Sequence, residues 1–417
     1  VARDGDKPAS QPEVPSSETA ATDPRANRAL AVVSAAVFLA SSTWFTGTAV
    51  TPFLTDAWDL SGAAAAWLTI GTQLGFIAGT FLYSILNLSD IFNARRVFFA
   101  SAALGALFNL GFAWLAEGLA TAVVFRILTG LTLAGVYPVG MKIIATWFEG
   151  GLGYRLGIMV GALTLGTAAP YLLETVAAGL PWHVPVATAS GLALAGGTLI
   201  LVAVEDGPYL RETAEFDASM MFRVFREPKF RLTAFGYFGH MWELYAFWSL
   251  VGVYLAASFE SGTNWAEVTG LVAFFAVAIG AVGCAVGGWI SRQFGMRRVA
   301  AVSLAVSATF CATSGFAFSL PAPILVVFVL VWGLFVVSDS PQFSALAAEY
   351  APDDYTGTAL TIQNGVGFAL TVVSIQLTPA AAAAVSWRWA FLILIPGPLL
   401  GLWAMIRLGR LERGERT

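Results

Sequence analysis

Charge is scarce in this chain. Asp, Glu, Lys and Arg make up only 12% of its 417 residues, against roughly 25% in an ordinary soluble domain. Residues 97–116 and 268–291 carry no charge, and 299–338 run without one, interrupted only by Leu320-Pro321-Ala322-Pro323. Runs of that kind exclude a soluble globular core and read as membrane spans, which need about 20 apolar residues each. Cysteine is scarcer still. Cys284 and Cys311 both lie in apolar runs, which excludes a disulfide framework and leaves two small buried side chains. There are two histidines, His183 and His240, and no clustered Cys and His, so no metal centre is expected. A phosphate-cradling glycine loop and a Ser/His/Asp arrangement are missing too. The chain is therefore not expected to be an enzyme, to use ATP or to carry a cofactor. A net charge of −4 gives no reason to expect nucleic acid.

What is present is a long series of apolar segments. Twelve spans are expected, at 29–54, 61–86, 97–116, 119–148, 155–179 and 184–204, then 230–257, 266–291, 298–319, 322–348, 356–383 and 386–407. The polar stretch 205–229 links two sets of six. Residues 1–28 lack the apolar core of a signal peptide and read as a disordered cytoplasmic tail; residues 408–417 read as a second cytoplasmic tail. Basic residues set the orientation. All Lys and Arg except Arg126, Lys142 and Arg388 fall in the tails, the linker and alternate loops, or at the span ends beside them. Both termini are therefore expected inside, in a multi-pass protein of the cell's inner (cytoplasmic) membrane.

One motif occurs twice. Leu88-Ser89-Asp90-Ile91-Phe92-Asn93-Ala94-Arg95-Arg96-Val97 returns as Ile290-Ser291-Arg292-Gln293-Phe294-Gly295-Met296-Arg297-Arg298-Val299. Each copy is a polar, doubly basic turn between two spans, which points to a duplicated helix bundle. Val123-Val124-Phe125 likewise returns as Val326-Val327-Phe328, and Pro138 falls on Pro341 at the same shift. The fourth and tenth spans are thus expected to bend at those prolines.

These features resemble the major facilitator superfamily over nearly all of the chain after residue 28. Leu88, Ser89, Asp90, Arg95 and Arg96 fit the family's hairpin pattern, while Leu86, Ile91 and Asn93 depart from it. The second copy keeps Gly288, Gly295, Arg297 and Arg298 but has Arg292 in the acidic place. Arg126-x-x-x-Gly130 and Glu349-x-x-Pro352-x-x-x-x-Gly357-Thr358-Ala359 match two further family motifs. The resemblance implies an all-α membrane fold of two pseudo-symmetric six-helix bundles. It also implies that Asp90, Arg95, Arg96, Arg297 and Arg298 form a conformational latch, and that Arg126 takes part in proton coupling.

Ionisable groups at membrane depth are costly, so each asks for a role. Glu243 lies about 12 residues, or ~18 Å, into its span, and His240, three residues away, shares its face. This pair and Asp339 are the expected proton carriers. Arg126 and Glu174 are at similar heights and suggest an ion pair, as a gate or a strut. Trp44, Phe45, Tyr137, Trp242, Tyr245 and Trp248 are expected to wall a cavity, with Gln342, Gln363 and Asn364 as its hydrogen-bonding groups. Lys142 either snorkels to the interface or adds positive potential.

The expected function is a monomeric, proton-coupled secondary transporter of a small organic solute, working by alternating access. Arg126, Lys142 and His240 slightly favour an anionic solute. Two alternatives stay open. One is a drug or metabolite exporter; the other is a transporter-like receptor or assembly factor that no longer transports.

Overall fold

A computed structural model describes residues 24–86, 88–148, 152–176, 179–209, 223–259, 264–352 and 356–414. The described residues are almost entirely helical, without strands. Among the described residues, ten helices, a broken helix counted once, are long and apolar enough to cross a membrane. The spans expected at 29–54 and 230–257 are also helical but are not among those ten. Both carry polar groups that lower their apolarity, and the first is interrupted.

The first half comprises α1 (Pro24–Ser41), α2 (Thr46–Ala49), α3 (Trp67–Ile85), α4 (Ala94–Leu115), α5 (Leu119–Leu133), α6 (Tyr137–Ala145), α7 (Leu152–Val176) and α8 (His183–Ala203). The second comprises α9 (Pro228–Ser258), α10 (Thr269–Ala278), α11 (Gly280–Phe294), α12 (Met296–Ala317), α13 (Ala322–Phe335), α14 (Ser340–Tyr350), α15 (Thr356–Val385) and α16 (Pro396–Gly414). Both basic turns lie at one end of the molecule, called here the basic end.

The expected bends are breaks. α5 gives way to α6 through residues 134–136, and α13 to α14 through 336–339. Pro138 and Pro341 each sit in the first two positions of the second piece, where a missing N–H costs nothing. The first span is broken as well, between α1 and α2, without a proline. Its counterpart α9 is continuous over 31 residues.

The duplication extends to packing. A Cβ on Gly130 would strike the backbone carbonyl of Thr72, which brings α3 and α5 into backbone contact. A Cβ on Gly333, at the same place in the repeat, would strike that of Ala276. Small residues that let membrane helices approach this closely recover dispersion contacts that lipid cannot supply.

Candidate functional site

The two halves meet along an aromatic seam. From the first half come Trp44 and Phe45, in the break between α1 and α2, and Phe76 on α3. From the second come Tyr245 and Trp248 on α9 and Phe368 on α15. Ring centroids lie 5.8 Å apart for Trp44–Tyr245, 6.3 Å for Phe45–Trp248 and 4.3 Å for Phe76–Phe368. These spacings suit tilted and edge-on aromatic packing. The Tyr171 hydroxyl of α7 donates across the seam to the Trp248 carbonyl at 2.6 Å.

The halves touch at both ends of this seam. At the basic end Ser84 and Thr361 share a hydrogen bond of 2.9 Å, and the Arg292 guanidinium sits 5.8 Å from the Tyr154 ring. At the far end Glu174 and Thr175 press against Gly270.

Buried polar atoms without hydrogen-bond partners are grouped on the helices around the seam. They include both amide atoms of Gln73, Nε2 of Gln342, Oε1 of Gln363, and the indole nitrogens of Trp44 and Trp248. Such atoms are costly unless something else meets them. Tyr137, at the break before α6, reaches Ser344 of the other half. Asn364 is half-buried on α15. Trp242, by contrast, does not face the seam. Its indole donates to the Ile393 carbonyl at 3.1 Å and packs on Gly397, inside the second half.

His240 and Asp339 meet toward the basic end. Nδ1 and Oδ1 are 2.9 Å apart, with the side chains only 1% and 2% exposed. The contact is close but lies off hydrogen-bond alignment, and both Oδ1 and the distal Nε2 of the imidazole lack an aligned partner. Asp339 is the N-cap residue of α14, yet its side chain does not cap the helix. Its carboxylate is therefore at the positive end of α14 and turned to the imidazole.

The expected pairing of His240 with Glu243 is not what the structure builds. Glu243 Oε1 accepts from Ser307 Oγ, from Trp332 Nε1 at 2.8 Å and from Cys311 Sγ at 3.3 Å. The carboxylate thus faces α12 and α13, while His240 faces α14. Residues three apart on a helix are about 60° off one face, and here the difference sends them to different neighbours.

The expected Arg126–Glu174 pair is also replaced. Nε of Arg126 donates to Leu68 O at 3.4 Å; Nη1 donates to Thr46 Oγ1 and Asn109 Oδ1, both at 2.8 Å. Nη2 donates to Thr43 O at 3.1 Å and to Trp44 O. A guanidinium has five N–H groups, and all five are used within the first half. The break after α1 frees carbonyls that the helix no longer satisfies, and Arg126 takes them up. Asn109 extends the network to Val186 O and Ser190 on α8.

The basic turns hold their own halves. Arg95 forks onto Asp206, just beyond α8, with both bonds at 2.9 Å, and also reaches Val204 O. Arg297 pairs with Glu412 on α16 at 2.9 Å, and Tyr350 joins that carboxylate at 3.1 Å. Each first arginine thus ties its turn to the last helix of its own bundle. A latch between halves through Arg95 or Arg297 is not formed, because the acidic partner of each lies in its own half. Arg96 and Arg298 are exposed; the Asp90 side chain lies outside the described residues.

Gln73, Phe76, Asn109, Ser307, Trp332 and Phe368 were not singled out from the sequence. The available signal was a lone amide, Gln73 or Asn109, within an apolar run.

The solved structures most like this chain include a bacterial homologue of the human lysosomal transporter Spinster, in an inward-facing and unoccupied conformation. It is 12% identical with a TM-score of 0.66, over 93% of this chain and 96% of that one. The nucleoside transporter NupG is 12% identical with a TM-score of 0.69, over 91% and 99%. At that identity the likeness speaks for the fold. No curated protein sequence matches. The Major Facilitator Superfamily model matches residues 32–375, and again residues 233–417. With more than half the chain matched and the paired basic turns in place, this multi-pass membrane protein belongs to the Major Facilitator Superfamily.

Proposed function

We propose that the chain is a proton-coupled secondary transporter of a small polar organic solute, with the His240–Asp339 pair as its proton carrier. The buried meeting of these two groups at the α13–α14 break carries the reading. A carboxylate and an imidazole with unaligned atoms share a proton at low cost, and either can pass it on. The break gives α14 freedom to move relative to α13, so protonation and helix position are linked.

The solute site in this reading is the seam, where Trp44, Tyr245, Trp248 and Phe368 offer ring faces and Gln73, Gln342 and Gln363 offer hydrogen bonds. Arg126 has no donor left for a substrate, which removes the main support for an anion. An uncharged solute with a planar or ring-shaped part fits these groups better. The rocking of one half against the other is supported by contact between the halves at both ends, set beside the inward-facing Spinster homologue. Glu243 is assigned to holding α9, α12 and α13 together.

The test is proton movement in liposomes containing the purified protein, on addition of nucleosides, sugars or small carboxylates. A neutral ring-bearing solute is expected to drive proton flux in the wild type and not in Asp339→Asn. Solute uptake with no proton movement would remove the coupling assignment. A response only to carboxylates would overturn the solute assignment.

A further inference from the structure

The outward face of α16 carries a groove of about 350 Å³, lined by Leu399, Leu402, Trp403, Ile406, Arg407 and Arg410. It lies away from the seam. The opposite face of α16, with Gly401, Ala404 and Leu408, is buried against α9 and α12. Leu399, Trp403 and Ile406 are 50%, 47% and 46% exposed, so the groove faces the bilayer.

Its chemistry is graded along the helix. Leu399 to Arg410 spans eleven steps, ~16 Å at 1.5 Å per residue. That is about half of a ~30 Å hydrocarbon core, the depth of one leaflet. The apolar residues occupy the deep part and the two arginines the end nearest the basic turns. Neither Arg407 nor Arg410 has an acidic partner among the described residues. Glu412 is turned away, held by Arg297 and Tyr350. The Arg407 guanidinium lies 5.9 Å from the Trp403 ring, at the junction of the two zones.

From this grading we infer that the α16 groove is a binding site for an anionic phospholipid. One acyl chain lies along Leu399, Leu402 and Ile406, and the headgroup phosphate is held between Arg407 and Arg410. Arginine forks match phosphate oxygens, and basic pockets beside membrane helices favour anionic headgroups. A second copy of the chain fits less well. A two-fold partner in the same membrane would set Arg407 and Arg410 at the height of their own copies, with like charges facing.

The test uses the full-length protein in a neutral detergent, offered phosphatidylglycerol and phosphatidylcholine in equal amounts. Retained lipid is counted by native mass spectrometry. Two cationic contacts predict a preference for phosphatidylglycerol of roughly 30-fold. Arg407→Gln with Arg410→Gln should abolish it, and the paired Lys variants should keep most of it. Both side chains are exposed, so the melting temperature is expected to hold. Leu399→Ser with Trp403→Ser should weaken lipid retention while leaving the arginines in place. Equal retention of the two lipids by the wild type, or an unchanged preference in the double Gln variant, would overturn the inference. Displacement by millimolar glycerol 3-phosphate would overturn it in favour of a soluble phosphate site. A wild-type dimer lost in the double Gln variant would overturn it in favour of a second copy.

Discussion

Arg126 spends all five of its donors within the first half, and in the function proposed above it serves the fold. Arg126 stands in for the hydrogen bonds that the first span loses at its break. Lysine offers three donors on a flexible stem and cannot reproduce the fork. Arg126→Lys is therefore expected to lower stability by about 3 kcal/mol, since a buried orphaned group costs ~1–3 kcal/mol; thermal unfolding in detergent measures this. A variant melting like the wild type would return Arg126 to the functional set. Asp339→Asn and Glu243→Gln separate two acids that look alike in sequence. The amide oxygen that Glu243→Gln introduces would still accept from Ser307 and Trp332, so this variant should retain more than half of wild-type proton-coupled flux, whereas Asp339→Asn should lose about 90% or more of it. Equal loss in both would show that Glu243 also carries protons. The sequence marks Arg126, Glu243, His240 and Asp339 as costly, but not their partners. Those partners include backbone carbonyls freed by a break and neutral hydroxyl, thiol and indole groups, and such groups leave no motif.

Among the elements, the breaks were half legible. Pro138 and Pro341 mark two of them, because the residue type itself forbids a helical hydrogen bond. The break after α1 has no proline and is visible only through Arg126, on a helix made later. The glycine crossings at α3–α5 and α10–α13 predict a symmetric sensitivity. Gly130→Ala and Gly333→Ala should each destabilise the protein by about 1–3 kcal/mol, as overpacking does, although alanine favours helices. Thermal melts of both variants check this, and an unchanged melt at either position would mean that the crossing relaxes freely. The turn arginines carry the same lesson. The family resemblance implied a latch, whereas Asp206 and Glu412 are near enough in each half to take Arg95 and Arg297 first.

For the molecule as a whole, the all-helical membrane fold was legible because a bilayer admits few alternatives. The duplicated basic turns disclosed its two-part construction. The aromatic seam was only partly legible: Trp44, Tyr245 and Trp248 were named, but Phe76 and Phe368 look like any apolar residue on a lipid-facing helix. If the halves rock about this seam, closing the basic end permanently should stop turnover. Ser84→Cys with Thr361→Cys replaces a 2.9 Å cross-half hydrogen bond with a pair that an oxidant can join. Solute flux is expected to fall to background on oxidation and to recover with a thiol reductant. Undiminished flux with the cross-link formed would show that the basic end need not open.

The interrupted first span has a consequence for synthesis. Its broken turn is completed by a side chain that leaves the ribosome about eighty residues later. Until then, the Trp44 carbonyl has no durable partner in lipid, and the Thr43 carbonyl has only the Thr46 hydroxyl three residues on. The first span thus settles only once α5 has arrived. Nascent chains stalled before Arg126 should hold it loosely, and those stalled after α5 has entered the bilayer should hold it firmly.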